Sequence, residues 1–132
     1  MSDWAEQEEE MKIQRIEEQF SICKLKDLSQ VDWKDTYCFV GKTEEENSLV
    51  CATQKVPGNA TECDHGWRGF RVQGSLDFSL VGILSEITSI LAEHRIGVFA
   101  VSTYNTDYIF TKEENFDRAI EALQGNGYGI AG

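Results

Sequence analysis

Between Gly66 and Gly125 the hydrophobic period of this chain moves from two to 3.6 and back, twice over, and no other feature constrains the fold as strongly. GWRGFRVQG (66–74) alternates as a strand does, with Trp67, Gly69, Arg71 and Gln73 on one face and Phe70 and Val72 on the other. Residues 75–77 read as a turn. Residues 79–95 then set Leu80, Leu84, Ile87 and Leu91 at helical spacing, with Asp77 suited to the N-cap and Gly97 following the end. GVFAVS (97–102) is a continuous apolar run, the pattern of a strand buried on both faces. A turn through Tyr104, Asn105 and Thr106 leads into a strand at 108–111. A second helix over 114–124 carries Phe116, Ala119, Ile120 and Leu123 inward and ends at Gly125 and Gly127. Residues 128–131 supply a short last strand. The order β-α-β-β-α-β is the ferredoxin-like plan: an α+β fold, its antiparallel sheet carrying both helices on one face.

The first half has strands and little helix. FSICKL (20–25) alternates loosely, and residues 28–34 read as a short turn or helical piece. The apolar runs 37–42 and 47–52 flank the acidic loop 43–47 as the arms of a hairpin. VPGNATECDHG (56–66) gathers the only proline, two glycines and many turn formers, and is the strongest internal boundary. Ahead of all this, residues 1–19 are highly charged. Met11, Ile16 and Phe20 form a weak helical stripe, and residues 1–12 are expected to be dispensable. The resulting division is an acidic N-terminal arm (1–19), a strand-rich half (20–65) and a fuller C-terminal domain (66–132).

At 132 residues the chain can bury about two-thirds of the surface it exposes when unfolded, so no metal or disulfide staple is needed. Twelve basic against 23 acidic residues give a net charge of −11, a field that repels phosphate backbones and anionic membranes. Nucleic acid and membrane are therefore excluded as expected partners. The cysteines at 23, 38, 51 and 63 form no Cys-x-x-Cys and no paired Cys/His spacing, so no structural metal is expected. The acidic start has no apolar signal region and no stretch approaches a membrane span. These features read as a cytoplasmic protein with reduced thiols. No Walker loop, His-Glu-x-x-His sequence or dinucleotide fingerprint occurs, so no cofactor is expected. His65 and His94 stand outside any catalytic motif, and His94 is placed to complement a helix C-terminus.

Two stretches carry a family resemblance: Leu76-Asp77-Phe78-Ser79-Leu80-Val81-Gly82 at the helix start, and Ser102-Thr103-Tyr104-Asn105-Thr106-Asp107-Tyr108 at the strand turn. With the segments around them they resemble the ACT-domain family, and within it the tandem-ACT group related to the CASTOR arginine sensors. The resemblance implies a ferredoxin-like ACT fold in two ACT-like halves, a regulatory amino-acid sensor rather than an enzyme, and pairing into a homodimer. It also implies a ligand site between ACT units, touched by the residues that match Thr103, Tyr104 and Asp107. A weaker likeness runs the other way. Arg71-Val72-Gln73-Gly74 resembles the phosphate loop of acylphosphatases, but Phe78 stands where that loop ends on its catalytic arginine, removing the cation that would stabilise a phosphoryl group.

Physical chemistry assigns the same two stretches a role. The start of the 79–95 helix offers unpaired N–H groups and a positive dipole end, a seat for a carboxylate. Ser79 adds a hydroxyl, Gly82 admits a ligand close to the backbone, and Phe78, Leu80 and Val81 complete that edge. Opposite charge comes from Asp107, with hydroxyls from Ser102, Thr103 and Thr106 and further contacts from Tyr104 and Asn105. Together Asp77, Phe78, Ser79, Leu80, Val81, Gly82 and residues 102–107 form the candidate binding site for an amino acid or similar small zwitterion. Ordinary readings stand beside this one: Asp77 as an N-cap, Gly82 as a helix-packing glycine, 102–106 as turn chemistry. They correspond to a structural pairing domain without ligand.

Overall fold

The computed structural model describes residues 11–73 and 80–131. In chain order the elements are β1 (Lys12–Leu25), β2 (Cys38–Lys42), β3 (Asn47–Ala52), a 3-10 turn (Thr53–Lys55), β4 (Ala60–Gln73), α1 (Leu80–Glu93), β5 (Val98–Ser102), β6 (Asp107–Lys112), α2 (Glu113–Gly125) and β7 (Gly129–Ala131). Two compact units result: Met1–Glu17 with Arg68–Gly132, and Glu18–Trp67. The first holds both helices, the second only strands and turns.

In the helical unit the strand order is β7-β1-β4-β6-β5. β5 and β6 pair antiparallel from Val98↔Thr111 to Ser102↔Asp107. The sheet is not wholly antiparallel, because β7 lies parallel to β1, with Lys12↔Gly129 and Ile13↔Ile130. β1 opens at Lys12, eight residues before the alternation at Phe20. Its buried side chains are Ile13, Ile16, Phe20, Ser21, Cys23 and Leu25, so the inward phase slips twice along one strand. Those slips give Ile13, Ile16 and Phe20 a spacing that mimics a helix, and the helical stripe is corrected to a strand. Met11 and Lys12 are likewise not dispensable: the Met11 carbonyl accepts from Gly129 N at 3.1 Å, and Met11 packs on the core.

That core joins Ile13 of β1, Phe70 and Val72 of β4, Ile109 of β6, Ile87 and Leu91 of α1, and Phe116, Ala119 and Leu123 of α2. Both helices bury their apolar stripes in one cluster, which sets them on one face. Each such aliphatic or aromatic side chain contributes about 1.5–3 kcal/mol through burial. Gly69 is required by packing. A Cβ there would stand 2.8 Å from the Phe110 ring, and Phe110 in turn stacks on Phe99 of β5 at 4.6 Å. The Arg68 guanidinium lies 4.4 Å over Phe116 and donates to the Ile16 carbonyl at 3.2 Å.

Both helices end in the same hydrogen-bond pattern. Ile96 N donates to Leu91 O at 2.9 Å and Arg95 N to Ala92 O at 2.9 Å; Tyr128 N donates to Leu123 O and Gly127 N to Gln124 O, each at 3.1 Å. These are Schellman motifs, and each needs a left-handed residue. Gly127 (φ 98°) serves α2, but Arg95 (φ 58°), not Gly97, serves α1. β5 also departs from its expected burial on both faces. It is the outermost strand, and its residues are half-buried or exposed.

The strand unit orders its strands β2-β3-β1-β4. β3 pairs antiparallel with β1 (Phe20↔Ala52 to Leu25↔Asn47) and with β2 (Cys38↔Cys51 to Lys42↔Asn47). The acidic hairpin loop closes through Thr43: its N donates to Glu46 O at 2.9 Å, and its hydroxyl accepts from Glu45 N and Glu46 N. Residues 28–34 form turns rather than a helical piece, held by Asp27, whose Oδ1 accepts from Ser29 N at 3.0 Å and Asn59 Nδ2 at 3.0 Å. Those bonds hold the Asp27 carboxyl below its usual range, the Ser29 hydroxyl first among them. β4 begins at Ala60, inside the turn-rich stretch, with Gly66 (φ 86°) supplying a conformation that other residues rarely adopt. The buried cluster is small: Cys23, Leu25, Val31, Leu49 and Cys51.

Candidate functional site

The turn between β5 and β6 is built by hydroxyl groups. Neither Tyr104 nor Asn105 takes a positive φ, so the primed turns favoured by two-residue hairpins are not used here. Thr103 closes the loop instead: its N donates to Thr106 O at 2.8 Å, its hydroxyl donates to the same carbonyl at 2.8 Å, and it accepts from Thr106 N at 3.3 Å. Thr106 then ties the turn to β4, its hydroxyl donating to Val72 O at 2.7 Å. Val72 lies just before residues 74–79, the segment that leads into α1, so the turn is anchored to the strand that feeds the helix start.

Asp107 opens β6 and is 3% exposed. Its Oδ1 accepts from the Ser102 hydroxyl at 2.6 Å, across a directly opposed pair of the ladder. Its Oδ2 is buried and has no hydrogen-bond partner among the described residues. A buried carboxylate with one oxygen unmatched is costly unless a donor or cation reaches it. Tyr104, at the tip, is fully exposed.

Ser102, Thr103, Tyr104, Asn105, Thr106 and Asp107 are therefore brought together in one turn. The protons of the three hydroxyls are committed within the protein, which leaves Asp107 as the strongest group that can receive a donor. Gly82 lies in the first turn of α1, where a Cβ would meet no atom of the described residues within 4 Å. Leu80 and Val81 open the helix. Asp77, Phe78 and Ser79, with the N-cap reading of Asp77, lie outside the described residues. Arg71, from the phosphate-loop likeness, donates Nε–H to Gln14 Oε1 at 2.9 Å. His94 Nδ1 lies 2.9 Å from the Ile90 carbonyl at the end of α1.

A network in the strand unit was not legible from sequence. Ser21, fully buried, bonds Thr53 Oγ1 at 2.9 Å and His65 Nδ1 at 2.6 Å. Three residues from separate elements share it, and no local spacing announces such a contact. Among the described residues no group of three or more His, Cys, Asp or Glu can hold a metal ion, and no helix is long and apolar enough to cross a membrane.

Residues 62–125 match the ACT domain family model. No curated protein matches the sequence. Among solved structures, a protein of Agobacterium tumefaciens superposes with a TM-score of 0.80 at 24% identity, covering 91% of each chain. A protein of unknown function from Vibrio cholerae gives 0.71 at 16% identity, over 96% of this chain and 97% of that one. The aspartate kinase of Clostridium acetobutylicum, described as an allosteric enzyme, gives 0.63 at 12% identity, over 87% of this chain but 33% of its own. The fold is thus a ferredoxin-like α+β fold of ACT type.

Proposed function

We propose that this chain, with an ACT-type regulatory fold as the premise, is a sensor of an amino acid or similar small zwitterion. The observation that carries the reading is Asp107, a buried carboxylate with one oxygen left without a partner among the described residues. An ammonium or guanidinium group would satisfy that oxygen with a charge-assisted hydrogen bond. The ligand carboxylate would take the amides at the start of α1, with Ser79, Gly82 and their neighbours Asp77, Phe78, Leu80 and Val81 as the opposing edge. Thr103, Tyr104, Asn105 and Thr106 would border the ligand, and Ser102 would orient Asp107.

In this reading residues 20–65 are the smaller half of a tandem ACT pair of the arginine-sensor type, residues 66–132 the fuller half, and the protein works in the cytoplasm. The outer edge of β5 supports a homodimer: its half-buried Val98, Phe99 and Val101 and its outward backbone groups suit pairing with a second copy. Calorimetric titration with the common amino acids, after a thermal-shift screen, tests the proposal. A ligand at 100 times its dissociation constant should add about 2.7 kcal/mol of stability. Asp107→Ala should weaken that ligand about 10- to 100-fold, the loss of one charged hydrogen bond. Equal affinity in the variant would move the site elsewhere, and no binding by any amino acid would favour a pairing domain without ligand.

A further inference from the structure

The four cysteines, scattered in sequence, fall on four neighbouring strands of the strand unit: Cys38 on β2, Cys51 on β3, Cys23 on β1 and Cys63 on β4. Cys23 and Cys51 sit in one buried cluster, with Cys38 packed against it. Cys63 is exposed and neighbours Cys23, both residues lining one groove. The pair is bracketed by contacts between the same two strands. Ser21 bonds His65 on one side; on the other, the Thr61 hydroxyl donates to Lys24 O at 3.2 Å and Lys26 N to Asn59 O at 3.2 Å. Opposed residues of neighbouring strands have Cα atoms about 4.5–5.5 Å apart, inside the range of about 4.4–6.8 Å that a disulfide spans.

We propose that Cys63 and Cys23 form a peroxide-responsive thiol pair that closes to a disulfide between β4 and β1. Two further features support this. Cys23 and Cys63 both line an open groove of about 370 Å³, so a small oxidant reaches the exposed member, Cys63. The rim is acidic, with Glu46, Glu62 and Asp64 against Lys24, so an uncharged oxidant is admitted and an anionic one such as oxidised glutathione is repelled.

The two members are unequal. Burial first, then the neighbouring Cys63, pushes the Cys23 thiol up to about 12, so Cys23 keeps its proton. The exposed Cys63 is the attacking sulfur. It takes one oxygen of hydrogen peroxide, the O–O bond breaks, and the other oxygen leaves as water, giving a sulfenic acid on Cys63. The Cys23 sulfur then attacks the Cys63 sulfur. The S–O bond breaks, the S–S bond forms, and the Cys23 proton leaves with hydroxide as a second water. Two thiols are oxidised by two electrons and one peroxide is reduced to two waters.

The test uses the full chain, purified reduced and treated with hydrogen peroxide or with oxidised glutathione. Free thiols should fall from four to two with peroxide, and peptide mapping without reductant should link Cys23 to Cys63 with the loss of two hydrogens. Oxidised glutathione should react about tenfold or more slowly, the gap closing at high salt. Cys23→Ser should accumulate a sulfenic acid on Cys63 that dimedone traps; Cys63→Ser should keep its three thiols. The inference is overturned if wild type retains four thiols under peroxide, if the link joins Cys38 to Cys51, or if it joins two copies of the chain. Wild type alone distinguishes these outcomes, so a poorly folding variant does not protect the inference.

Discussion

The helical and strand units are built from the same kind of sheet but bury different materials beneath it. Around β4, β6, α1 and α2, the buried cluster of the helical unit has fourteen members among the described residues, all aliphatic or aromatic, Phe70, Leu91, Ile109 and Leu123 among them. Among the described residues the buried cluster of the strand unit has five members, two of them cysteines. The first composition stabilises through apolar area; the second places polarizable, oxidisable sulfur where little area is available. Two helices over a sheet create an interior, whereas strands and turns bury Cys23 and Cys51 but leave Cys38 half-buried and Cys63 exposed. On this contrast, stability belongs mainly to the helical unit and exposed thiol chemistry to the strand unit.

Phe110→Ala is the severest test of that contrast. The ring is fully buried between Gly69 and Phe99, and its loss should cost about 3–5 kcal/mol by chemical denaturation. A loss below about 1 kcal/mol would break the comparison. Next comes Tyr128, buried in the core of the helical unit with its hydroxyl on Glu86 Oε1. Burial, and then the Glu86 carboxylate, push the phenol above its ordinary value near 10. The folded state therefore prefers the protonated phenol, and this stability is complete below about pH 10 and lost as pH rises through the folded value. Tyr128→Phe should cost about 1.5–3 kcal/mol at neutral pH and flatten the alkaline limb of a stability profile. An unchanged limb would assign alkaline unfolding to other groups.

In the strand unit, Cys51→Ala removes one buried sulfur and should cost only about 1 kcal/mol. Burial pushes that thiol up to about 11, so alkylation at neutral pH should reach Cys63 well before Cys51. A cost equal to that of Phe110→Ala would erase the distinction between the units. The smallest effect is expected at Arg95, exposed and held at φ 58°. Arg95→Gly relieves the left-handed strain while adding chain entropy to the unfolded state, a net gain of up to about 1 kcal/mol by thermal melting.

Periodicity made α1, α2, β4 and the β5–β6 hairpin legible, because a helix or strand that buries one face advertises it within a dozen residues. The turn at Ser102 to Asp107 was legible for the same reason: its hydroxyls and carboxylate are sequence neighbours. β1 was less so, since its inward phase slips twice and the alternation breaks. GVFAVS was read as buried on both faces because an apolar run states an affinity for the interior, not a strand's place in the sheet.

The sequence by itself determined the order of the elements, the faces of both helices, the acidic charge and the grouping of donors and acceptors at 102–107. All are properties of neighbours along the chain. Only the tertiary structure decided that β5 is outermost, that β1 runs between β7 and β4, and that Arg95 turns the chain after α1. It also decided that Cys23 and Cys63 line one groove and that Asp107 spends one oxygen on Ser102. Strand order and side-chain contact depend on hydrogen bonds and packing between segments more than a hundred residues apart, such as Ile13 with Ile130, and no local period encodes those distances.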